Sequence, residues 1–391
     1  MRITIIGGGI GGLSVAIALR QFGYQPEVFE QAPELRDVGA AIAVWSNAMR
    51  LLEHLGVGAR VLAHAGVIEE IRWINRDGRI LNQTPLKSGD APSVALRRAD
   101  LQSALLEQLP ANSVHLGKTF VDFSLVDEGI SVRFADGSSV KTDLLIGADG
   151  LHSRLRTLLI GDQSPTYQGY ATWRGVAEAT PDDVPDGVAI EIHGYGRRFG
   201  IGPVGQGRIG WWASDNGRGP GTGQDAKENR NELLSLFDGW SGPAQALIRV
   251  TPPETIVRND IFDRTASANW GSGPVTMLGD AVHPTTPDLG QGGCLAIEDG
   301  VVLARCLEKY ARIDDHPSAT DIELALRTFE QRRKFRTAAI VAASRRYGAT
   351  GQWEHRVAVG LRRGVLPFLP RPLLRFSFAR ILDYDARTVR V

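Results

Sequence analysis

The sequence predicts an α/β protein of two domains, in which a Rossmann-like domain carries an inserted antiparallel sheet and is followed by C-terminal helices. Two observations support this fold class. The chain begins with an apolar strand, a glycine-rich turn and a helix, which is how a parallel nucleotide-binding sheet starts. From about residue 167 the pattern changes to alternating segments with aromatic residues, which is typical of antiparallel strands with one covered face.

The first turn contains the parts of a dinucleotide-binding motif in their usual order. Gly7 permits the tight turn, Gly9 lets the backbone approach a pyrophosphate, and Gly12 lets helix and strand pack closely, with Gly11 in the same run. The helix N-terminus offers free N–H groups to phosphates. Glu30 ends the next strand, where its carboxylate can accept hydrogen bonds from a ribose diol. The turn therefore predicts a bound dinucleotide, either FAD or NAD(P).

The domain boundaries are expected where the pattern changes. Residues 1–166 form the first part of the nucleotide-binding domain, with a short excursion into the second domain at 70–98. Residues 167–270 form the antiparallel substrate domain, and 271–345 return to the nucleotide-binding domain. Residues 346–391 form a C-terminal helical segment.

Composition excludes several classes of function. Lys+Arg and Asp+Glu both number 44, so the net charge of +0 gives no reason to expect nucleic acid as a partner. The two cysteines, Cys294 and Cys306, form neither a CxxC motif nor part of a metal-ligand cluster, so no metal site is expected. No apolar run reaches the ~18 residues of a membrane-spanning helix. We therefore expect a cytoplasmic protein without stable membrane insertion.

Two further motifs place a carboxylate directly after a predicted buried strand. Asp149-Gly150 follows LLIGA, and Gly279-Asp280 follows PVTML. Ligands of open α/β sheets bind at the carboxyl ends of the strands. A Pro/Gly loop then leads from Pro284 to Gly293, and it exposes backbone N–H groups and a helix N-terminus toward negative charge.

Taken with the first glycines, these motifs resemble the single-component FAD-dependent aromatic hydroxylases, the group of p-hydroxybenzoate and salicylate hydroxylases. The resemblance covers residues 1 to about 347. It implies FAD as the bound cofactor, with Glu30 on the adenosine ribose and with NADH or NADPH as a transient co-substrate. It also implies O₂ as a substrate and hydroxylation of an electron-rich aromatic or heteroaromatic ring through a C4a-hydroperoxyflavin. A monomer or homodimer is expected.

The resemblance assigns contacts with FAD outside the first turn. Arg98 contacts FAD with help from Gln102, and Arg97 is the neighbouring alternative. Asp149 touches FAD and helps to bind the reducing nicotinamide, while Asp280 holds ribityl or ribose hydroxyls. The expected cofactor-binding residues beyond Gly7, Gly9, Gly11, Gly12 and Glu30 are Arg98, Gln102, Asp149, Gly150, Gly279, Asp280, Gly290, Gln291, Gly292 and Gly293.

The catalytic candidates are Asp288 and Arg198. A phenol or urate-like ring attacks best when it is deprotonated, so the site requires a base or a charge partner. Within the family, TTPDLGQGGC is similar to the urate hydroxylases, whose corresponding aspartate is catalytic; this assigns Asp288. Arg198 matches their substrate-binding arginine by register, and Arg197 is the alternative, because neighbours on a strand point to opposite faces.

The predicted pocket departs from that of the urate hydroxylases. Gly210 stands where they carry a tyrosine, and Thr172 or Arg174 stands where they carry an asparagine. We expect Arg174, Trp212 and Pro287 to contact the substrate, which favours a larger aromatic, indolic or quinolone-like ring over urate. Two alternatives stay open: a flavin epoxidase acting on an isoprenoid or polyene substrate, and a non-catalytic flavin- or NAD-binding protein.

Overall fold

The computed structural model describes most of the chain, and every structural statement below concerns those residues. They are 1–34, 40–86, 90–127, 129–161, 164–178, 184–216, 221, 225–315, 317–370 and 378–391.

Helices and strands are mixed in the first 160 residues, strands dominate from 166 to 263 apart from two helices, and two short strands followed by helices make up the part after residue 270. The helices are α1 (Ile10–Gln21), α2 (Ser46–His54), α3 (Gly58–His64), α4 (Arg98–Leu106), α5 (Arg154–Ile160), α6 (Ala226–Leu236), α7 (Ala244–Val250), α8 (Gly292–Tyr310), α9 (Ala319–Gly351) and α10 (Arg356–Val365). The strands are β1 (Ile3–Ile6), β2 (Pro26–Phe29), β3 (Ala41–Val44), β4 (Gly66–Ile68), β5 (Glu70–Asn75), β6 (Ile80–Pro85), β7 (Ser93–Arg97), β8 (Val114–His115), β9 (Phe120–Val126), β10 (Gly129–Phe134), β11 (Ser139–Thr142), β12 (Leu144–Gly147), β13 (Thr166–Ala177), β14 (Val188–His193), β15 (Arg197–Pro203), β16 (Ile209–Asn216), β17 (Val257–Asp263), β18 (Gly271–Ser272) and β19 (Val275–Met277).

The first sheet has the order β18-β19-β12-β1-β2-β8. Its strands are parallel except for the β18–β19 pair. Every residue of β1 and β12 is buried, as expected of parallel strands with both faces covered. The parallel arrangement brings the carboxyl ends of β1, β2, β12 and β19 to one edge, so the motifs that follow these strands meet there.

The second sheet has the order β17-β13-β16-β15-β14-β5-β6. It is antiparallel apart from the β14–β5 pair, which is parallel. At this edge the sheet is extended by the hairpin of β5 and β6, which comes from an earlier part of the sequence. One face is a closed core in which Trp211 stacks on Phe199 and Phe199 meets the edge of Phe237. The opposite face is polar, and we refer to it as the polar face.

Helix α9 connects the two sheets. Near its start, Glu330 accepts a hydrogen bond from Thr276 of β19 (2.9 Å). At its end, a Cβ added to Gly351 would lie 2.8 Å from Cδ of Arg198 in β15. The boundary expected between residues 345 and 346 falls inside this unbroken helix. Among the described helices, none is both long enough and apolar enough to cross a bilayer.

Asp100 lies in the first turn of α4, whose N-cap is Arg97. Its carboxylate accepts two hydrogen bonds from the Arg97 guanidinium, at 3.2 and 3.0 Å. The aspartate thus neutralises a neighbouring arginine and still lies at the positive end of the helix.

Candidate active site

A groove runs along the carboxyl edge of the first sheet, and the turn after β1 forms one end of it. The backbone of this turn is closely packed on one side and leaves space on the other. Gly7 has φ +109°, a conformation that favours glycine. A Cβ added to Gly12 would overlap the Gly7 carbonyl oxygen, so helix and strand pack as closely as backbone allows. A Cβ added to Gly9 would meet no described atom within 4 Å. Space for a ligand therefore lies over Gly9 and the N-terminus of α1.

Glu30 and Gln102 are both anchored to this turn. Glu30 accepts hydrogen bonds from the Gly8 N–H (2.6 Å) and the Ala32 N–H (2.9 Å). Gln102 donates to the Gly8 carbonyl oxygen (2.9 Å). A carboxylate has further lone pairs, so Glu30 can still accept from a ribose hydroxyl beside the turn.

Asp149 follows β12 at the same edge and keeps one free acceptor. Its Oδ2 accepts a hydrogen bond from the Leu155 N–H (3.1 Å). Its Oδ1 is buried and has no hydrogen-bond partner among the described residues. Burial raises the pKa of this carboxyl above its ordinary value. A buried acceptor beside the glycine turn is suited to a donor from a bound ligand. At Gly150 an added Cβ would meet no described atom within 4 Å.

A buried acid fixes the loop after β19. Asp299 accepts hydrogen bonds from the Gly279 N–H (2.9 Å) and from Arg333 Nε (2.7 Å), and it contacts His283 Nε2 at 2.6 Å. Asp280, in contrast, is exposed at the surface of the groove; the surrounding protein atoms raise the pKa of its carboxyl, and the charge of Arg98 opposes this effect. The structure thus brings the predicted Arg98 and Asp280 together.

The Pro/Gly loop from Pro284 to Gly293 places the N-terminus of α8 at this groove. Gly290 adopts the left-handed conformation with φ +61°, and α8 begins two residues later at Gly292. Gln291 is held by a hydrogen bond from Asn47 (3.1 Å). A Cβ added to Gly292 would lie 3.8 Å from Asp280, and one added to Gly293 would lie 3.2 Å from Ile42. The helix end and Asp280 therefore line the same space.

These features fit FAD. The site combines a close-packed glycine turn, two helix N-termini, an unpartnered buried carboxylate oxygen and an exposed aspartate along one sheet edge. The helix ends suit phosphate and anionic flavin, and the carboxylates suit ribose and ribityl hydroxyls. Gly11 packs against Leu278 and Ala296, which places it at the α1–α8 contact. No group of acidic, cysteine and histidine side chains suited to a metal ion occurs in the described ranges.

The two catalytic candidates contact each other directly on the polar face. The Arg198 guanidinium donates to Asp288 Oδ1, and each side chain is 1% exposed. Tyr170 donates to Asp288 Oδ2 (2.7 Å). Burial and the charge of Asp288 raise the pKa of Tyr170 above its ordinary value, so it stays a donor. Asp288 itself rests against Gly348 of α9, where an added Cβ would lie 2.5 Å from the carboxylate.

A second carboxylate extends this group. Glu191 accepts a hydrogen bond from Arg198 (3.2 Å) and another from the Tyr347 hydroxyl, which in turn accepts one from Trp73 Nε1 (2.8 Å). Burial raises the pKa of Glu191, although Arg198 opposes this effect. Burial would lower the pKa of Arg198, but Asp288 and Glu191 raise it above its ordinary value. We call Asp288, Arg198, Glu191, Tyr170 and Tyr347 the charged cluster.

Arg197 points to the opposite face of the sheet from Arg198. It bonds to Asp215 (2.5 Å) and to the Leu236 carbonyl oxygen (3.1 Å), and its side chain is 39% exposed. Of the two arginines left open by the sequence, Arg198 is the one that contacts Asp288.

The expected substrate residues lie around the cluster. Trp212 places its ring 5.1 Å from the Arg198 guanidinium carbon and lies over Gly200, where a Cβ would overlap the indole nitrogen. Arg174, on the same face, donates to Asn259 (2.6 Å); burial and the charge of Arg98 lower its pKa. Pro287 is exposed in the loop before Asp288.

Sequence reasoning missed Glu191, Tyr170, Tyr347 and Trp73. Glu191 carried a usable signal, because it stands among apolar residues in VAIEIH and a buried acid needs a partner. The other three gave no local signal. Of the remaining tryptophans, Trp211 is core and donates to Thr251 (2.9 Å).

Comparisons with known proteins agree with this geometry. Residues 1–344 match the FAD binding domain family. The chain is 39% identical over 374 residues to the aurachin C monooxygenase/isomerase of Stigmatella aurantiaca, covering 94% of both chains. It is 36% identical over 353 residues to the FAD-dependent urate hydroxylase of Klebsiella pneumoniae subsp. pneumoniae, covering 88% of this chain and 89% of that one.

A solved structure supports the same assignment. The crystal structure of Klebsiella pneumoniae HpxO complexed with FAD and uric acid superimposes with a TM-score of 0.90 at 31% identity, over 98% of this chain and 97% of that chain. The predicted fold class and the predicted cofactor are thereby confirmed. The chain belongs to the FAD binding domain family and is an FAD-dependent monooxygenase.

Proposed function

We propose that the enzyme hydroxylates an electron-rich aromatic or heteroaromatic ring and that the charged cluster receives the proton which the ring gives up. The observation that carries this proposal is the balance of charge around Arg198. One guanidinium lies between two carboxylates, Asp288 and Glu191. Burial raises the pKa of Glu191, on which Arg362 also acts, so the cluster offers a carboxylate that can accept a proton from a ring O–H or N–H.

Deprotonation matters because it raises the electron density of the ring carbon that attacks oxygen. Arg198 is well suited to hold the resulting anion, since its raised pKa keeps it charged. Its guanidinium donates to Gln352, Glu191 and Asp288, which fixes its position beside the proposed ring.

FAD, when bound, supplies the activation of O₂ with electrons from NADH or NADPH. The chain's own residues supply position. Gly9 and the N-terminus of α1 would hold the pyrophosphate, Glu30 the adenosine ribose, and Asp280 the ribityl hydroxyls. The N-terminus of α8 at Gly292 would face the pyrimidine end, where its dipole favours negative charge. Pro287 and the loop around it exclude water on the substrate side.

The polar face offers a flat aromatic surface beside Arg198. Gly200 lies under Trp212, whose ring therefore packs on the backbone of β15. Trp212 covers this surface and offers a flat aromatic wall next to Arg198. We therefore propose a fused aromatic substrate of the indole or quinolone type.

The experiment is a substrate panel tested on the purified, FAD-loaded enzyme. We expect slow NADH or NADPH oxidation without substrate and strong stimulation by a hydroxyquinoline, an indole or a phenol. Mass spectrometry should show one oxygen atom from labelled O₂ in the product. If no aromatic compound in the panel stimulates oxidation or is converted, the proposal is wrong.

Epoxidation of an isoprenoid alkene is the second candidate, favoured by an apolar cavity of about 710 Å³ beside the charged cluster. Conversion of terpenoid or carotenoid alkenes, with no conversion of the aromatic panel, would identify this activity. We also propose a cytoplasmic monomer or homodimer. Light scattering on the FAD-loaded enzyme and fractionation of source cells test these two points.

A further inference from the structure

A cavity of about 710 Å³ lies between α9, α10 and the described residues 366–369 and 378–381. This volume is within the range of about 300–1,000 Å³ that is typical of small-ligand sites. None of the residues expected from the sequence to bind FAD or substrate lines the cavity. The proposed hydroxylation of the substrate ring therefore assigns no role to this cavity.

The walls of the cavity are mostly apolar. Ile340 and Ala343 of α9 face Leu366 and Phe378 across it, and Leu289 closes one side. A polar ring such as a purine would gain little binding free energy from an apolar cavity of this size. A hydrocarbon group would gain the most, because burial of each methylene contributes about 0.8 kcal/mol.

The inner wall of the cavity is formed in part by the charged cluster. Tyr347, which donates to Glu191, lines the cavity, and so does Trp73, which donates to Tyr347. Gly351 also lines it and backs directly onto the Arg198 side chain. The cavity and the position proposed for the substrate ring are thus separated by single side chains.

A second contact joins the cavity to the flavin loop. Trp73, Leu366 and Phe378 pack in one apolar cluster that also includes Trp45. A Cβ added to Gly290 would lie 2.8 Å from the Trp45 indole nitrogen. The cavity therefore reaches from the loop that leads into α8 to the outside of the molecule.

The outer end opens beside exposed apolar side chains. Leu361 and Val365 of α10 line the cavity and are 58% and 47% exposed. Arg346 and Arg380, both exposed, line it too and provide a polar rim. Most of the lining between this rim and the charged cluster is apolar, but His193, Arg336 and Arg362 also line the cavity, and Arg362 donates to the carbonyl oxygens of Gly351 and Gly194.

We propose that this cavity binds a long aliphatic chain carried by the substrate ring. The proposal rests on the proposed function and adds to it that the substrate is an amphiphile with a hydrocarbon tail. The ring would lie at Arg198 and Trp212, and the tail would extend past Trp73 and Tyr347 toward α10. Hydrophobic burial of the tail would supply binding energy, and the charged cluster would fix the ring.

The test compares 4-hydroxyquinolines that carry a methyl, pentyl or undecyl chain at carbon 2 or carbon 3. Dissociation constants come from tryptophan fluorescence and from the FAD absorbance of the loaded enzyme, and kcat/KM comes from product formation. We expect affinity to increase by up to about fourfold per methylene until the cavity is filled. Chain length should act mainly on KM.

Two variants of α9 make the test specific. Ala343→Trp fills the cavity, and it should abolish most of the preference for undecyl over methyl. Ala342→Trp is the matched control, because Ala342 is exposed and does not line the cavity; it should keep the preference. An equal preference in both variants would overturn the proposal.

The outcomes separate this inference from the proposed function. Hydroxylation of the methyl and undecyl compounds with equal kcat/KM would uphold the proposed function and overturn the tail site. Chain-dependent binding without hydroxylation would support the tail site and show that the ring is of another class. Absence of chain-dependent binding in the unmodified enzyme overturns the tail site whatever the turnover.

Discussion

Arg198 and Asp288 form an ion pair in which each side chain is only 1% exposed. They lie ninety positions apart in the sequence, one on a strand of the second sheet and the other in the loop that leads to α8. Desolvation of two charges is costly unless the pair is well bonded. Here Tyr170 and Glu191 supply the additional bonds. The pair therefore joins the flavin groove to the polar face.

Replacement of Asp288 tests the role of this ion pair. Asp288→Asn should retain FAD but form little product, because Arg198 loses the carboxylate that orients it and the cluster loses one of its two carboxylates. We expect kcat/KM for product to fall by about 10²–10⁴-fold. NADH or NADPH oxidation should continue without hydroxylation. Product and consumed O₂ are measured together, and the FAD content reports folding.

The matched control lies on the other face of the second sheet. Asp215→Asn removes the partner of Arg197, whose side chain is 39% exposed. A surface pair contributes about 0–1 kcal/mol, so product formation should be unchanged. Equal product formation by Asp288→Asn and Asp215→Asn would remove Asp288 from the mechanism.

The glycine turn gives a second prediction, in which two alanine substitutions differ. Gly12→Ala places a Cβ onto the Gly7 carbonyl oxygen, so we expect a loss of at least about 1–3 kcal/mol of stability and loss of FAD. Gly9→Ala meets no described atom, so the protein should fold normally and bind FAD more weakly. Thermal unfolding and the FAD-to-protein ratio check both. A Gly12→Ala variant with full FAD and an unchanged Tm would contradict the packing at this turn.

The groove at the carboxyl edge of the first sheet could be predicted because each part is local. Gly7 and Gly12 belong to one turn, and Asp149 and Asp280 each follow a buried strand directly. Parallel pairing then places these strand ends at a common edge without further information. The spacing of glycines and the ends of buried strands can both be recognised directly in the sequence.

The charged cluster could be predicted only in part. Strand alternation shows that Arg197 and Arg198 face opposite ways, but which face is polar depends on what packs there. Glu191 meets Tyr347 because a 33-residue helix ends against the polar face, and no short motif encodes that length. Trp73 joins them through the parallel β5–β14 pair, which an antiparallel pattern does not predict.

Cys294 lies in the first turn of α8, close to the groove, and its chemistry can be predicted. Burial raises the pKa of this thiol to about 12, and that of Cys306 likewise to about 12. At pH 8 roughly one thiol in ten thousand is ionised, so neither cysteine should react as a nucleophile. Titration with a disulfide reagent should detect no thiol in the folded holoenzyme and two after unfolding. Cys294→Ala should retain FAD and turnover, and fast labelling of the folded enzyme would contradict this.

His193 should make stability depend on pH in the acid range. Burial, followed by the charges of Arg362 and Arg198, lowers the pKa of His193 well below its ordinary value of 6.5, so it is neutral in the folded protein. Glu191 is near, with 3.4 Å between Nε2 and Oε1, but does not reverse the shift. The unfolded chain binds a proton below pH about 6.5 and the folded chain does not, so stability falls as the pH falls through this range.

Between pH 7.5 and 5.5 this difference amounts to roughly 1 kcal/mol for one histidine. His193→Gln removes it, so the Tm of the variant should fall less over this range than the Tm of the unmodified enzyme. His54→Gln is the control, because His54 is exposed in the last turn of α2, and it should retain the full dependence. Tm is measured for the FAD-loaded enzyme at both pH values. Parallel decreases in all three proteins would show that His193 is not the group that titrates.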